Sequence, residues 1–337
     1  MNTLVLSAED KNKESAYELL KNGEIVAIPT ETVYGLAANG LNVSAVRKIF
    51  EAKGRPQDNP LILHISSIDM LKEIAAYIPP IALRLADTFW PGPLTMIFPK
   101  RAVIPSETCG GLDTVAVRMP NNRFTLSLIE KCGFPLAAPS ANTSGLPSPT
   151  AAKHVYEDMK GKIPLIIDGG ECKFGVESTV ITFENDERLR ILRPGGVTAE
   201  MLREYANVVI DDGVLMKIDP DIKVLSPGMK YKHYSPKADV FILNGSTENI
   251  IAFLSDRDSS LKIAYLGYGN ESLGGNIITV PYGETSEEQA EHLFSGLRMC
   301  DELECDEVYV RMPEKKGMGL AVYNRLLRSA GFRVIEL

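Results

Sequence analysis

Apolar and polar positions alternate in short blocks along the chain. EIVAIPT (24–30) is an apolar, β-rich run closed by Pro29, the pattern of a buried strand. LILHIS (61–66), LTMIFP (94–99), TVAVRMP (114–120), PLAAPSA (135–141), LIIDGG (165–170) and STVITF (178–183) share that character. Residues 14–21 predict a helix broken at Gly23. Residues 43–52 set Val43, Val46, Ile49 and Phe50 on one helical stripe, which stops where Gly54 and Pro56 arrive. Short strands with helices and many turns between them indicate an α/β or α+β sheet of mixed direction.

The rhythm is more regular towards the end. Residues 238–243, 262–267, 277–281, 307–312 and 332–337 read as strands, and 246–257 and 318–330 as helices, the latter ended by Gly331. Thr285 and Glu288 form a capping box for a helix reaching about residue 303. Strand–helix alternation of this kind predicts a small parallel, Rossmann-like sheet, but no GxGxxG turn follows its first strand, so no dinucleotide site is expected there. The expected organisation is a catalytic domain over 1–210, a linker over 211–237 and a small α/β domain over 238–337. The linker holds three prolines and the segment SPGMKYKHYSP, rich in rings and lysines, which reads either as a plain inter-domain linker or as a loop that folds over a site.

Composition changes the picture mainly by exclusion. A length of 337 residues suits two domains, and 45% hydrophobic with 24% charged residues suits a globular chain rather than a disordered one. No apolar run approaches the roughly 18 residues of a membrane span. The first twenty residues, without a basic leader, predict no signal peptide. Five cysteines with no CxxC pair argue against a disulfide framework or a thiolate zinc site, so a cytoplasmic location is expected. Net charge is −8; residues 1–210 carry 22 basic and 24 acidic side chains (−2), leaving 14 and 20 (−6) for the rest, so the overall field does not mark a polyanion binder.

Walker A, GxSxG and HExxH sequences are absent, and the four histidines are scattered. The chemistry sits instead in dense polar turns. PTETVYGL (29–36) follows a strand; its small hydroxyls suit a small polar ligand, while the plainer reading is a strand-to-helix turn that satisfies its own backbone. KGRPQDNPL (53–61) presents Lys53, Arg55 and Asn59 on a proline-stiffened loop, as phosphate recognition requires, although cations at a helix end also serve the helix dipole. APSANTSGLPSPT (138–150) offers Ser140, Asn142, Ser144 and Ser148 on a rigid loop whose Gly145 permits an anion nest. VESTV (176–180) and ILRPG (191–195) add Ser178 and Arg193. Arg118 lies among apolar strand residues and needs an anionic partner.

Together these motifs resemble the threonylcarbamoyl-AMP synthase family, proteins built around a YrdC-type domain. The family's KxR…SxN signature stands as Lys53, Arg55, Ser140 and Asn142, and PTETVYGL, KGRPxxxPL, APSAN and STV follow in the expected order. The SPGMKYKHYSP segment and the C-terminal half match the longer, two-domain members. The resemblance implies an open, twisted α/β sheet with a concave basic groove, and a synthase joining L-threonine, bicarbonate and ATP into threonylcarbamoyl-adenylate and pyrophosphate. That product serves a separate tRNA-modifying transferase complex, which acts on adenosine 37 of tRNAs reading ANN codons. By the same resemblance Lys53, Arg55, Asn59, Ser140, Asn142, Ser148, Arg193 and His233 contact ATP, the signature four being catalytic. His233 or its neighbour Tyr231 would close the linker over the nucleotide. Thr32, His64, Thr114, Arg118, Ala138 and Ser178 form the threonine pocket. Magnesium is expected to ride on the ATP phosphates, with no protein-held metal site. The competing class is a double-stranded RNA-binding module without catalysis. At most a weak RNA contact and no membrane partner are expected.

Overall fold

The computed structural model describes residues 1–216, 234–269, 271, 273 and 277–337. Two compact units divide the chain, Met1–Ser144 with Ser148–Lys230, and Gly145–Pro147 with Tyr231–Leu337. The expected lid over 211–237, with Tyr231 and His233, falls largely outside the described residues.

The first unit is a mixed sheet with helices against it. Its strands are β1 (Leu4–Ser7), β2 (Val26–Ile28), β3 (Gly35–Asn39), β4 (Ile62–His64), β5 (Leu94–Pro99), β6 (Thr114–Arg118), β7 (Leu136–Ala137), β8 (Leu165–Asp168), β9 (Thr179–Asn185), β10 (Arg188–Arg193) and β11 (Asn207–Ile210). They lie in the order β1-β8-β2-β3-β7-β4-β6-β5-β9-β10-β11. The helices are α1 (Lys13–Lys21), α2 (Val43–Lys53), α3 (Ile68–Ile74), α4 (Pro80–Phe89), α5 (Arg123–Cys132), α6 (Ala152–Met159) and α7 (Ala199–Arg203). Each main helix turns one apolar stripe to the sheet: Leu20, Ile49, Leu85 and Leu128 from the helices meet Ile28, Leu63, Met96 and Val117 from the strands in one buried cluster.

Two expectations need correcting. PTETVYGL joins β2 to an antiparallel strand rather than to a helix, because GLAAN supplies small apolar residues that pair Gly35 with Ile28 and Ala37 with Val26. The run 135–141 is a strand only over Leu136–Ala137: Pro139 has no N–H for a ladder, and Ser140–Asn142 continue as a loop.

The second unit holds β12 (Asp239–Asn244), α8 (Thr247–Ser255), β13 (Ile263–Gly267), β14 (Ile277–Pro281), α9 (Ser286–Glu302), β15 (Glu307–Arg311), α10 (Gly317–Ser329) and β16 (Val334–Glu336). Its strands form an all-parallel sheet in the order β14-β13-β15-β12-β16. The capping box read from Thr285 and Glu288 is formed in both directions. No helix among the described residues is long and apolar enough to cross a membrane.

Candidate active site

Helix α2 positions the first group. The Asn42 side chain accepts from the Ser44 and Ala45 amides and starts the helix. The stripe of Ala45, Val46, Ile49 and Phe50 continues into the last turn, so Lys53 is carried inward and is only 2% exposed. Gly54 then adopts φ 60, a left-handed turn that costs glycine little, and its N–H bonds back to Phe50 and Glu51.

Lys53 Nζ donates to the carbonyls of Ser140 at 2.5 Å and Asn142 at 2.7 Å, and reaches Asn142 Oδ1 at 3.4 Å. The loop offering these oxygens is itself pinned: Leu36 N donates to Pro139 O, Ala141 N to Tyr34 O, Tyr34 N to Pro149 O and Ser144 N to Lys53 O. Burial, helped by the neighbouring Arg55 charge, pushes the Lys53 ammonium well below its ordinary pKa. Arg55 is buried and its Nη2 donates to Pro60 O at 3.3 Å. Asn59 is buried with its Oδ1 unpartnered. Lys53, Ser140 and Asn142 therefore meet, while Arg55 acts on Lys53 through its charge and donates to Pro60 O. Ser140 takes part through its backbone carbonyl.

The second group is a row across neighbouring strands. His64 pairs with Arg118 between β4 and β6, and Arg118 with Thr95 between β6 and β5. Thr95 Oγ1 lies 2.8 Å from Ser178 Oγ, just before β9. Arg193, the last residue of β10, donates to Ser178 O at 3.0 Å and Ser178 Oγ at 3.2 Å. Arg118 Nη1 donates to Thr32 Oγ1 at 2.9 Å, Nε donates to Gly92 O at 3.2 Å, and Nη2 stands 2.7 Å from Glu31 Oε1. Burial, with Arg118 beside it, lowers His64 to about 3, so its ring is neutral near pH 7.

Thr32, His64, Arg118, Ser178 and Arg193 are thus brought together. Ser148 reaches the row indirectly, its hydroxyl donating to Glu177 Oε1 at 2.6 Å beside Ser178. Ala138 donates its backbone N–H to Ile62 O at 3.0 Å and so lies between the two groups. Thr114 is not brought to Arg118. It begins β6 opposite Pro99, four residues before Arg118, roughly 13 Å at strand spacing. The register of Ile62 with Ala116 points it towards Pro60, the acceptor of Arg55, and hence towards the cationic loop. His233 lies outside the described residues.

Sequence reasoning missed Glu31 and Thr95. Glu31 was open to discovery, since a cation inside an apolar strand calls for a carboxylate and PTETVYGL holds one. Thr95 gave no such signal, being one hydroxyl in an apolar strand. Among the described residues, no group of three or more His, Cys, Asp or Glu could hold a metal ion.

Comparison with known proteins extends over almost the whole chain. The Sua5/YciO/YrdC family model, described as telomere recombination, matches residues 18–195, and the model described as threonylcarbamoyl-AMP synthase, C-terminal domain, matches 197–331. A threonylcarbamoyl-AMP synthase of Pyrococcus abyssi is 44% identical over 99% of this chain and 100% of its own length. One of Bacillus subtilis is 42% identical over 98% of this chain and 96% of its own. The crystal structure of P. abyssi Sua5 complexed with L-threonine superposes with a TM-score of 0.89 at 44% identity, covering 100% of this chain and 99% of that one. The chain belongs to the threonylcarbamoyl-AMP synthase family.

Proposed function

We propose that the chain is an L-threonylcarbamoyladenylate synthase, a nucleotidyltransferase that makes threonylcarbamoyl-AMP and pyrophosphate from L-threonine, bicarbonate and ATP. The observation that carries this reading is end-to-end likeness to synthases of that name at 42–44% identity, with Ser140 and Asn142 of the signature brought to Lys53.

The amine of threonine first joins bicarbonate, R–NH2 + HCO3− giving R–NH–COO− + H2O. A carbamate oxygen then attacks the α-phosphate of ATP, forming a P–O bond while the bond to pyrophosphate breaks. The nucleophile and the triphosphate are both anions, so fixed positive charge and positioning are the main demands on the protein. Lys53 and Arg55 hold the triphosphate, and the loop of Ser140 and Asn142 fixes where the Lys53 ammonium stands. A bound phosphate reverses the electrostatic pressure on Lys53 and keeps it charged. The Oδ1 of Asn59 is free to accept from the nucleotide, while Ser148 and Arg193 border it. Arg118, with Thr32, Ser178 and neutral His64 around it, takes the threonine carboxylate. The oxygens around Lys53 are backbone carbonyls and a side-chain amide that already accept from its ammonium, so in this reading magnesium arrives bound to ATP. When bound, magnesium neutralises phosphate charge.

The adenylate is a reactive mixed anhydride and needs an acceptor. We assign that role to a tRNA-modifying transferase that places the threonylcarbamoyl group on adenosine 37 of ANN-decoding tRNAs. Pyrophosphate release and mass spectrometry with threonine, bicarbonate and ATP omitted in turn test the reading. The expected result is threonylcarbamoyl-AMP only when all three are present. Salt-steep RNA binding without any adenylate would replace it with the RNA-binding alternative.

A further inference from the structure

Glu31 combines three features that the assignments above leave unused. Its side chain is 6% exposed, and its ion-pair partner among the described residues is Arg118, whose Nη2 stands 2.7 Å from its Oε1. That contact is close but not aligned as a hydrogen bond, and it engages only Oε1; Oε2 is buried with no hydrogen-bond partner among the described residues. Glu31 also forms part of the wall of a cavity of about 480 Å³, together with Thr30, Gly92, Asn121, Gly170 and Phe174. Arg118 does not line this cavity itself, but Gly92, whose carbonyl accepts from Arg118 Nε, does, which sets the cavity one residue away from the guanidinium.

A buried carboxylate oxygen with no donor is costly unless something supplies one. A buried pair of opposite charges that is close yet poorly aligned can also be opened at little loss by a ligand that pairs each member better. An amino acid is such a ligand, since its carboxylate and ammonium carry the complementary charges a few ångströms apart. We propose that Glu31 receives the ammonium group of the amino-acid substrate while Arg118 receives its carboxylate. The inference rests on the synthase reading above and adds a residue to it. Charge stays balanced throughout: a neutral ion pair takes in a neutral zwitterion, and the ammonium supplies donors to the Glu31 carboxylate, Oε2 included. The Thr30 hydroxyl fixes the turn that aims Glu31, donating to Val33 O at 2.7 Å and accepting from Thr32 N at 3.1 Å.

The test is calorimetric binding of L-threonine against (R)-3-hydroxybutanoate, which is threonine without its amine. The full-length chain is expected to prefer threonine about 10- to 100-fold, the usual size of a hydrogen bond between charged groups. Glu31→Gln should collapse that preference while keeping 3-hydroxybutanoate affinity within a few-fold, and Glu31→Asp should retain part of it. A structural role for Glu31 would weaken both ligands alike. Equal affinities in the unmutated chain overturn the proposal even if Glu31→Gln fails to fold, as does a Glu31→Gln protein that keeps the full preference. Binding of neither ligand overturns it together with the amino-acid reading of the whole site, which separates the two failures.

Discussion

Replacing Lys53 by methionine removes one ammonium and little volume. In the free protein the Ser140 and Asn142 carbonyls, at 2.5 Å and 2.7 Å, lose their donor. Each buried acceptor left unmet costs about 1–3 kcal/mol. Against this, a cation that burial disfavours disappears, as its depressed pKa indicates. The two effects oppose, and a net destabilisation of about 1–3 kcal/mol is expected. Catalysis has no such compensation. Loss of one fixed charge aimed at a phosphate is worth about 3 kcal/mol of barrier, or about 100-fold in kcat. Lys53→Arg should be nearly as damaging, because a planar guanidinium does not fit a site closed to 2% exposure around a point charge. Steady-state pyrophosphate release, beside urea unfolding of the same samples, separates the two effects. A folded Lys53→Met protein with kcat within threefold of the unmutated chain would refute the reasoning.

His64 should make stability depend on pH. Its folded value of about 3 lies below the ordinary 6.5, so between those values only the unfolded chain holds the proton. Stability is full above pH 6.5 and declines as pH falls towards 3, by about 2 kcal/mol between pH 6.5 and 5; urea midpoints measure it, and His64→Gln should flatten the slope. Gly195→Ala should destabilise by about 1–3 kcal/mol and impair activity, because a Cβ there would stand 2.4 Å from Thr179 N and 2.5 Å from Glu177 O, beside Ser178. Full activity with an unchanged thermal midpoint would contradict that contact. Thr285→Ala should cost about 1 kcal/mol in the second unit by opening the capping box of α9, read as a lower thermal midpoint with ATP turnover unaltered.

Much of the site could be read from the sequence because its residues sit where chain geometry is locally determined. The stripe of α2 ends at Lys53, Gly54 stops it, and prolines hold the loops on either side. The partner of Lys53 could not be read the same way: it is a pair of backbone carbonyls 87 and 89 residues away, set by packing of the Pro139–Asn142 loop against Tyr34 and Leu36. Thr114 came to the threonine pocket through the family resemblance; the register of β6 sets it at the other strand end from Arg118, which alternation alone does not show. β1 was missed because its four residues are mostly exposed and its pairing with β8 spans some 160 residues, so neither alternation nor a turn announces it. Helix α4 opens on Pro80 and shows its stripe only once Trp90 and Pro91 are seen to end it. The need of Arg118 for an anion was legible; that Glu31 meets it required the fold.

The central claim is that the ammonium at the end of α2, framed by the loop after β7, receives the triphosphate. Its most direct measurement is a crystal structure of the full chain with magnesium, threonine and a non-hydrolysable ATP analogue. Phosphate oxygens within hydrogen-bond distance of Lys53 Nζ and the Arg55 guanidinium are predicted, with the threonine carboxylate on Arg118. Phosphates ordered on any other surface, with Lys53 still engaged only by Ser140 and Asn142, would contradict it.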